Sequence, residues 1–216
     1  MRTRNYLLMI LILSVSKAFS FDLPNVGFIA GPSYGKFYFT ENDPGSILIL
    51  DYKTGYQFGM YYDINMSHKL TLRPEVDYTH RGTILQFKFS GGLGDALGTL
   101  RYANIYNYIE LIPQVLYSVT ERLYFTFGVA AGAFLFGKAQ YPEISDTYVI
   151  IDEPWIDIES DIVTFPTVGL ISGLKVHLTE KTSIGVRCYY GLTDVRNDID
   201  TSYRATNLQL LLGVSL

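Results

Sequence analysis

Arg73, Glu75, Asp77 and Arg81 set two cations and two carboxylates at spacings of two and four residues. In an extended strand those positions share one face. The four groups could therefore make a compact ion-pair network or, if water reached them, a path for protons or ions. The opposite parity carries Leu70, Leu72, Pro74, Val76, Tyr78 and His80, an apolar and aromatic face. Three other constellations could do chemistry. The stretch 137–161 holds Glu143, Asp146, Asp152, Glu153, Asp157, Glu159 and Asp161 with Lys138 as its one lysine, oxygen ligands dense enough to hold Ca²⁺. It lacks EF-hand spacing and a glycine turn, so a solvated outer loop is the expectation, with Trp155 between Pro154 and Ile156 as an anchor for a partner or as part of a small loop cluster. His68, His80 and His177 are the candidate bases, and none has a Ser or Asp partner nearby in the sequence. Ser90 to Gly98 is glycine-rich but lacks the Gly-Lys-Ser/Thr ending of a phosphate cradle, so it reads as an outer loop.

These groups need strands to hold them, and the alternation recurs through the chain. Eight strand candidates fall at 26–39, 54–64, 69–82, 104–119, 122–136, 162–178, 182–193 and 204–216. Asn65–His68, Thr120–Glu121 and Thr179–Lys181 are short polar breaks; 40–53, 83–103, 137–161 and 194–203 are long ones. One parity is apolar throughout: Tyr56, Phe58, Met60, Tyr62 and Ile64 on the second strand, Leu123, Phe125, Phe127 and Val129 on the fifth, Leu208, Leu210, Leu212, Val214 and Leu216 on the eighth. The other parity adds Glu110, Gln114, Lys175, Arg187, Asn207 and Gln209 to the first four charges, with glycines such as Gly27, Gly128 and Gly169 leaving space opposite them. That is more apolar surface than one soluble core needs. The pattern predicts an all-β, eight-stranded antiparallel up-and-down transmembrane barrel, apolar face to lipid, with short periplasmic turns and longer extracellular loops. Eight strands enclose a lumen just filled by side chains, so Arg73, Glu75, Asp77, Arg81, Glu110, Lys175 and Arg187 are expected to pair as a structural network.

The front of the chain agrees with export. Met1 to Asn5 is basic, Tyr6 to Ser16 is apolar, and Ala18-Phe19-Ser20 supplies small residues, so residues 1–20 are expected to be a cleaved signal peptide and 21–216 the barrel. The apolar run is about half of the roughly 20 residues a membrane-spanning helix needs. Losing Arg2, Arg4 and Lys17 leaves 14 basic against 21 acidic residues, a formal charge of −7. A mildly acidic exported chain gives no reason to expect nucleic acid. Cys188 stands alone on an apolar parity and reads as a small lipid-facing hydrophobe rather than as part of a disulfide framework.

Residues 26–216 resemble the PorT-like outer-membrane β-barrel domain family of Bacteroidetes. The likeness is carried by Gly27 to Gly31, by Leu72-Arg-Pro-Glu-Val-Asp-Tyr78 with Arg81-Gly82, by Tyr108-Ile-Glu-Leu-Ile-Pro113, by Tyr190-Gly-Leu-Thr193 and by Asn207 to Leu216. Pro113 falls one residue later than the family spacing, which predicts a change of face relative to Glu110 through a bulge. The resemblance implies the bacterial outer membrane, contact with its lipid and lipopolysaccharide, no cofactor, and a secretion or envelope protein as partner. Residues and resemblance together give three readings: a non-enzymatic barrel acting through its loops, a narrow channel, and a lipid-modifying enzyme. The first is expected.

Overall fold

The computed structural model describes residues 25–40, 47–90, 96–140, 142–144, 150–152, 155–196 and 202–216. The expected signal peptide, Asp146 and Glu153 lie outside them. Eight strands form the wall: β1 (Val26–Thr40), β2 (Ile47–Tyr62), β3 (Leu70–Ser90), β4 (Ala96–Ser118), β5 (Leu123–Gln140), β6 (Thr167–His177), β7 (Thr182–Gly191) and β8 (Ser202–Ser215). Each pairs antiparallel with its neighbours in the chain, and β1 pairs with β8 from Gly27↔Ser215 to Thr40↔Ser202. The sheet is closed, so its ladder has no open edge around the ring.

The three short turns lie at the end that holds Val26 and Ser215, and one device fixes all of them. The Ser67 hydroxyl accepts the Leu70 N–H at 3.2 Å, Thr120 accepts Leu123 N–H at 3.1 Å, and Thr179 accepts Thr182 N–H at 3.0 Å. A hydroxyl that replaces a backbone acceptor in this way closes a turn at low cost.

Several long connections are shorter than the sequence suggested. Strand β2 begins at Ile47, and β3 and β4 run to 21 and 23 residues up to the pair Ser90↔Ala96. A tilted strand needs only about 9–11 residues to cross a bilayer, so roughly half of each stands beyond it. Above the lipid the outer face need not be apolar, and in β3 the alternation changes sense: Leu85, Phe87 and Phe89 share the parity of Arg81, while Gln86 and Lys88 share that of Tyr78. The wall is also one-sided, because β6 and β7 have only 11 and 10 residues. The candidate strand 162–178 starts five residues late, at Thr167. Pro166 has no N–H to give to a ladder, and the segment before it crosses the barrel mouth, where Val163 is buried. The Phe165–Pro166 peptide is cis.

Alternation holds along the rest of the wall. Phe58 and Phe127 are 52% and 60% exposed, and Leu208, Leu210, Leu212, Val214 and Leu216 line the outside of β8. From Phe125 to Leu135 the outward row of β5 rises by about 25 Å at the usual strand rise and tilt, the height of a lipid-facing apolar band. Pro113 faces outward, opposite Pro74, while Glu110 and Ile112 face inward, so the face changes without a bulge at that point. The register shift of β4 against β5 lies instead between Asn107 and Tyr108, where Leu135 and Phe136 are both exposed on β5.

Glycines on the inner parity make room for rings. The Tyr61 ring lies over Gly27 and the Tyr189 ring over Gly169, so close that a β-carbon at either glycine would overlap the ring. Gly169→Val should push Tyr189 off its place and lower stability by about 1–3 kcal/mol, the usual cost of overpacking. The urea midpoint for loss of the compact, fast-migrating gel species reads this directly.

Candidate functional site

The inner parity converges on the lumen, and there the charges named from the sequence are all buried. At the periplasmic end Arg73 makes a two-pronged contact with Asp63, Nε to Oδ1 and Nη2 to Oδ2 both at 2.6 Å, and its guanidinium lies 3.8 Å over the Tyr61 ring. In the middle Arg187 donates to Glu75 Oε2 at 2.6 Å, to Asp77 Oδ2 at 2.9 Å and to Gln209 Oε1 at 2.6 Å. Gln114 donates to the other oxygen of Glu75. Further out, Arg81 Nη2 donates to Glu110 Oε2 at 2.5 Å, and the Thr79 hydroxyl donates to the same oxygen at 2.7 Å. Arg81 also lies 3.8 Å over the Tyr189 ring.

The acids Asp63, Glu75, Asp77 and Glu110 match Arg73, Arg81, Arg187 and Lys175 one for one. Charge balance of this kind is what a narrow, low-dielectric lumen demands. Lys175 takes part through the Tyr61 ring, 5.3 Å from its Nζ. It also borders a cavity of about 30 Å³ lined by Arg73, Glu75, Gln114 and Ser183. That volume is enough for a water molecule.

A second layer closes the outer half of the lumen. Phe37, Tyr106, Tyr108, Ile112, Ile171 and Tyr189 point inward, and Val163 and Val195 come down from the connections to meet them. Phe37 meets Tyr106 edge-on at 5.4 Å and 78°, the favoured geometry for two rings. The Thr164 N–H to Val195 carbonyl bond (3.0 Å) ties the two connections together. The sequence reading missed this layer, although Tyr106, Tyr108 and Ile112 share the parity of Glu110 and so carried the signal.

Of the acidic stretch, Glu143 and Asp152 belong to a short hairpin in which Pro142 pairs with Asp152 and Glu143 with Ile151. Asp157, Glu159 and Asp161 are exposed. Asp157 pairs with Lys138 at the upper edge of β5 while Glu159 and Asp161 lie outside any strand, so the three do not form one face of an extended hairpin. Among the described residues no group of three or more His, Cys, Asp or Glu side chains could hold a metal. Trp155 is exposed, and Lys53 Nζ from β2 lies 4.8 Å over its ring.

The histidines separate. His68 is exposed in a turn and His177 leans on Tyr124 at 5.1 Å. His80 faces outward and finds a partner that the sequence did not announce, Asn107, whose Oδ1 is 2.9 Å from its Nδ1. Cys188 is exposed on the outer wall.

A closed antiparallel barrel with an apolar exterior and a charge-paired interior is a transmembrane barrel of the outer-membrane type. The chain belongs to the outer membrane protein beta-barrel domain family, whose model matches residues 23–197, and this puts it in the outer membrane. No curated protein matches the chain. Among solved structures it is similar to Ail, the attachment invasion locus protein of Yersinia pestis, at 13% identity over 88% of this chain and 97% of that one, with a TM-score of 0.48. Neisserial surface protein A gives 12%, 89%, 97% and 0.49 for the same four measures, and the outer membrane protease OmpT of Escherichia coli gives 7%, 92%, 99% and 0.46.

Proposed function

We propose that this chain is a non-enzymatic outer-membrane barrel that works by binding at its outer end, as an accessory of secretion or envelope maintenance. The observation that supports this reading most is the double closure of the lumen. A charge-balanced network fills the inner half and an aromatic layer capped by Val163 and Val195 fills the outer half. Among the described residues both layers are built of buried side chains, which disfavours a conduit and leaves the tall β2–β5 wall with its loops as the working surface. The motif resemblance to PorT-like barrels of Bacteroidetes supports a role beside type IX secretion. The partner is then an envelope or secretion protein met by the region around Trp155, Asp157, Glu159 and Asp161, with lipopolysaccharide around it. Residues 1–20 would be removed on export, so the mature protein should begin at Phe21 by N-terminal sequencing.

The test is photocrosslinking in cells from positions 155, 157 and 159, against position 121 in a periplasmic turn as control. A single envelope protein captured from the outer positions and absent from the control is the expected result; the same background from all four positions would refute the reading. Planar bilayers should stay electrically silent with the wild-type protein. Reproducible conductance steps that change on Arg187→Gln would favour the channel instead.

A further inference from the structure

Above the start of β6 the sheet has an edge. β6 begins at Thr167, opposite Gly132, whereas β5 runs on to Gln140. The place of β6 beside the top of β5 is taken by the short strand Ile156–Asp157, which pairs with Ala139 and Lys138. Ala139 and Lys138 lie beyond Leu135, the top of the outward apolar row, by about 8–10 Å at the usual strand rise and tilt. The edge therefore stands clear of the hydrocarbon, within reach of a water-soluble segment.

One bond shows which way its backbone groups point. The Ile158 N–H donates to the Gly137 carbonyl at 3.0 Å. Successive residues of an extended chain turn their backbone groups to opposite sides. Ile156 and Ile158 thus turn theirs to β5, and Asp157 between them turns its N–H and C=O to the open side. Trp155, Ile156, Asp157 and Glu159 are all exposed. Lys138 stands across the ladder from Asp157, on the closed side. Among the described residues neither Asp157 nor Glu159 has a salt bridge. The connection that carries them, 137–161, holds seven acidic residues against one lysine.

We infer that Trp155–Glu159 receives an extended basic segment of the partner protein as an added antiparallel strand. An exposed edge with unpaired backbone groups is a template for such a strand. The residue placed opposite Asp157 exchanges both backbone bonds with it and carries its side chain on the same face. A cation there is favoured and an acid is repelled. Glu159 follows two residues on, so Lys or Arg at every second position of the segment matches both carboxylates. The inference rests on the reading above that a protein meets this region, and it names the chemistry of the contact.

The test uses the folded full barrel in detergent with synthetic peptides as probes: acetyl-Lys-Val-Lys-Val-Lys-amide, its glutamate counterpart, and the lysine peptide N-methylated either at its lysines or at its valines. Trp155 is the one tryptophan of the chain, so its fluorescence reports binding at this edge. The lysine peptide should bind about tenfold more tightly than the glutamate peptide. Methylation at the lysines should abolish binding, because their amides face the edge, and methylation at the valines should leave it. Asp157→Asn with Glu159→Gln should remove the preference for lysine. Asp157→Pro deletes only the N–H that points to the open side, so it should abolish binding while heat-dependent gel migration shows the barrel intact. Equal binding of the two charge types, binding of neither, or undiminished binding of the lysine-methylated peptide overturns the inference. Capture of one envelope protein by photocrosslinking, with no peptide bound, overturns it too and leaves the reading above standing.

Discussion

Arg187→Leu should lower the unfolding free energy by about 3–5 kcal/mol, the cost of leaving buried charge without its partner. Arg187 is 3% exposed and holds Glu75, Asp77 and Gln209 at once, so its loss strands two carboxylates that are 2% and 0% exposed. The physical cause is desolvation: a carboxylate taken from water into a narrow lumen needs a cation or several donors beside it. Gln114 and Arg73 lie near Glu75, but Asp77 has no second cation bonded to it among the described residues. A matched variant separates charge from packing. In Arg187→Leu with Asp77→Asn the lumen keeps three acids against three cations, with Gln114 still donating to Glu75, and most of the stability should return. Urea titrations of the folded gel species in phospholipid vesicles measure all three proteins. If the single variant matches wild type, the lumen network contributes nothing and the filled-core account fails.

The second large effect concerns the other face. Leu212 is 54% exposed and sits in the row between Ala30 of β1 and Ile184 of β7. Arginine there should cost about 2–4 kcal/mol in a bilayer, because a guanidinium in mid-hydrocarbon loses its hydration. Leu216→Arg, at the strand end, should cost only about 0–1 kcal/mol, since its side chain reaches the interface. The contrast between the two positions is the measurement, again by urea titration in vesicles. Equal costs at 212 and 216 would mean that the outer face of β8 does not cross the hydrocarbon as described.

These two residues show how much was legible beforehand. Leu212 and Arg187 were each assigned a face from parity alone, and the structure puts both where parity placed them. Side-chain alternation with period two is local, so a short window of residues reveals it. The turns at Ser67, Thr120 and Thr179 were legible for the same reason: each is closed by a hydroxyl and an N–H three residues apart. The upper half of β3 was not legible as a continuation of the same strand, because its apolar parity changes sides: Leu85, Phe87 and Phe89 fall on the parity that carries Arg73 and Arg81 below. Trp155 was placed on the right connection but given no partner, and Lys53, about a hundred residues earlier, could not be guessed from spacing.

What the sequence determined by itself is the polarity of the wall: which side chains meet lipid, which meet one another, and hence the kind of membrane structure that can bury them. What only the tertiary structure decided is the pairing inside. Arg187 meets Glu75 and Asp77 across 112 and 110 residues, and His80 meets Asn107 across 27. Barrel closure and strand register bring those groups together. Both are set by the fit of eight strands around one lumen, a property of the whole ring that no local stretch of sequence contains.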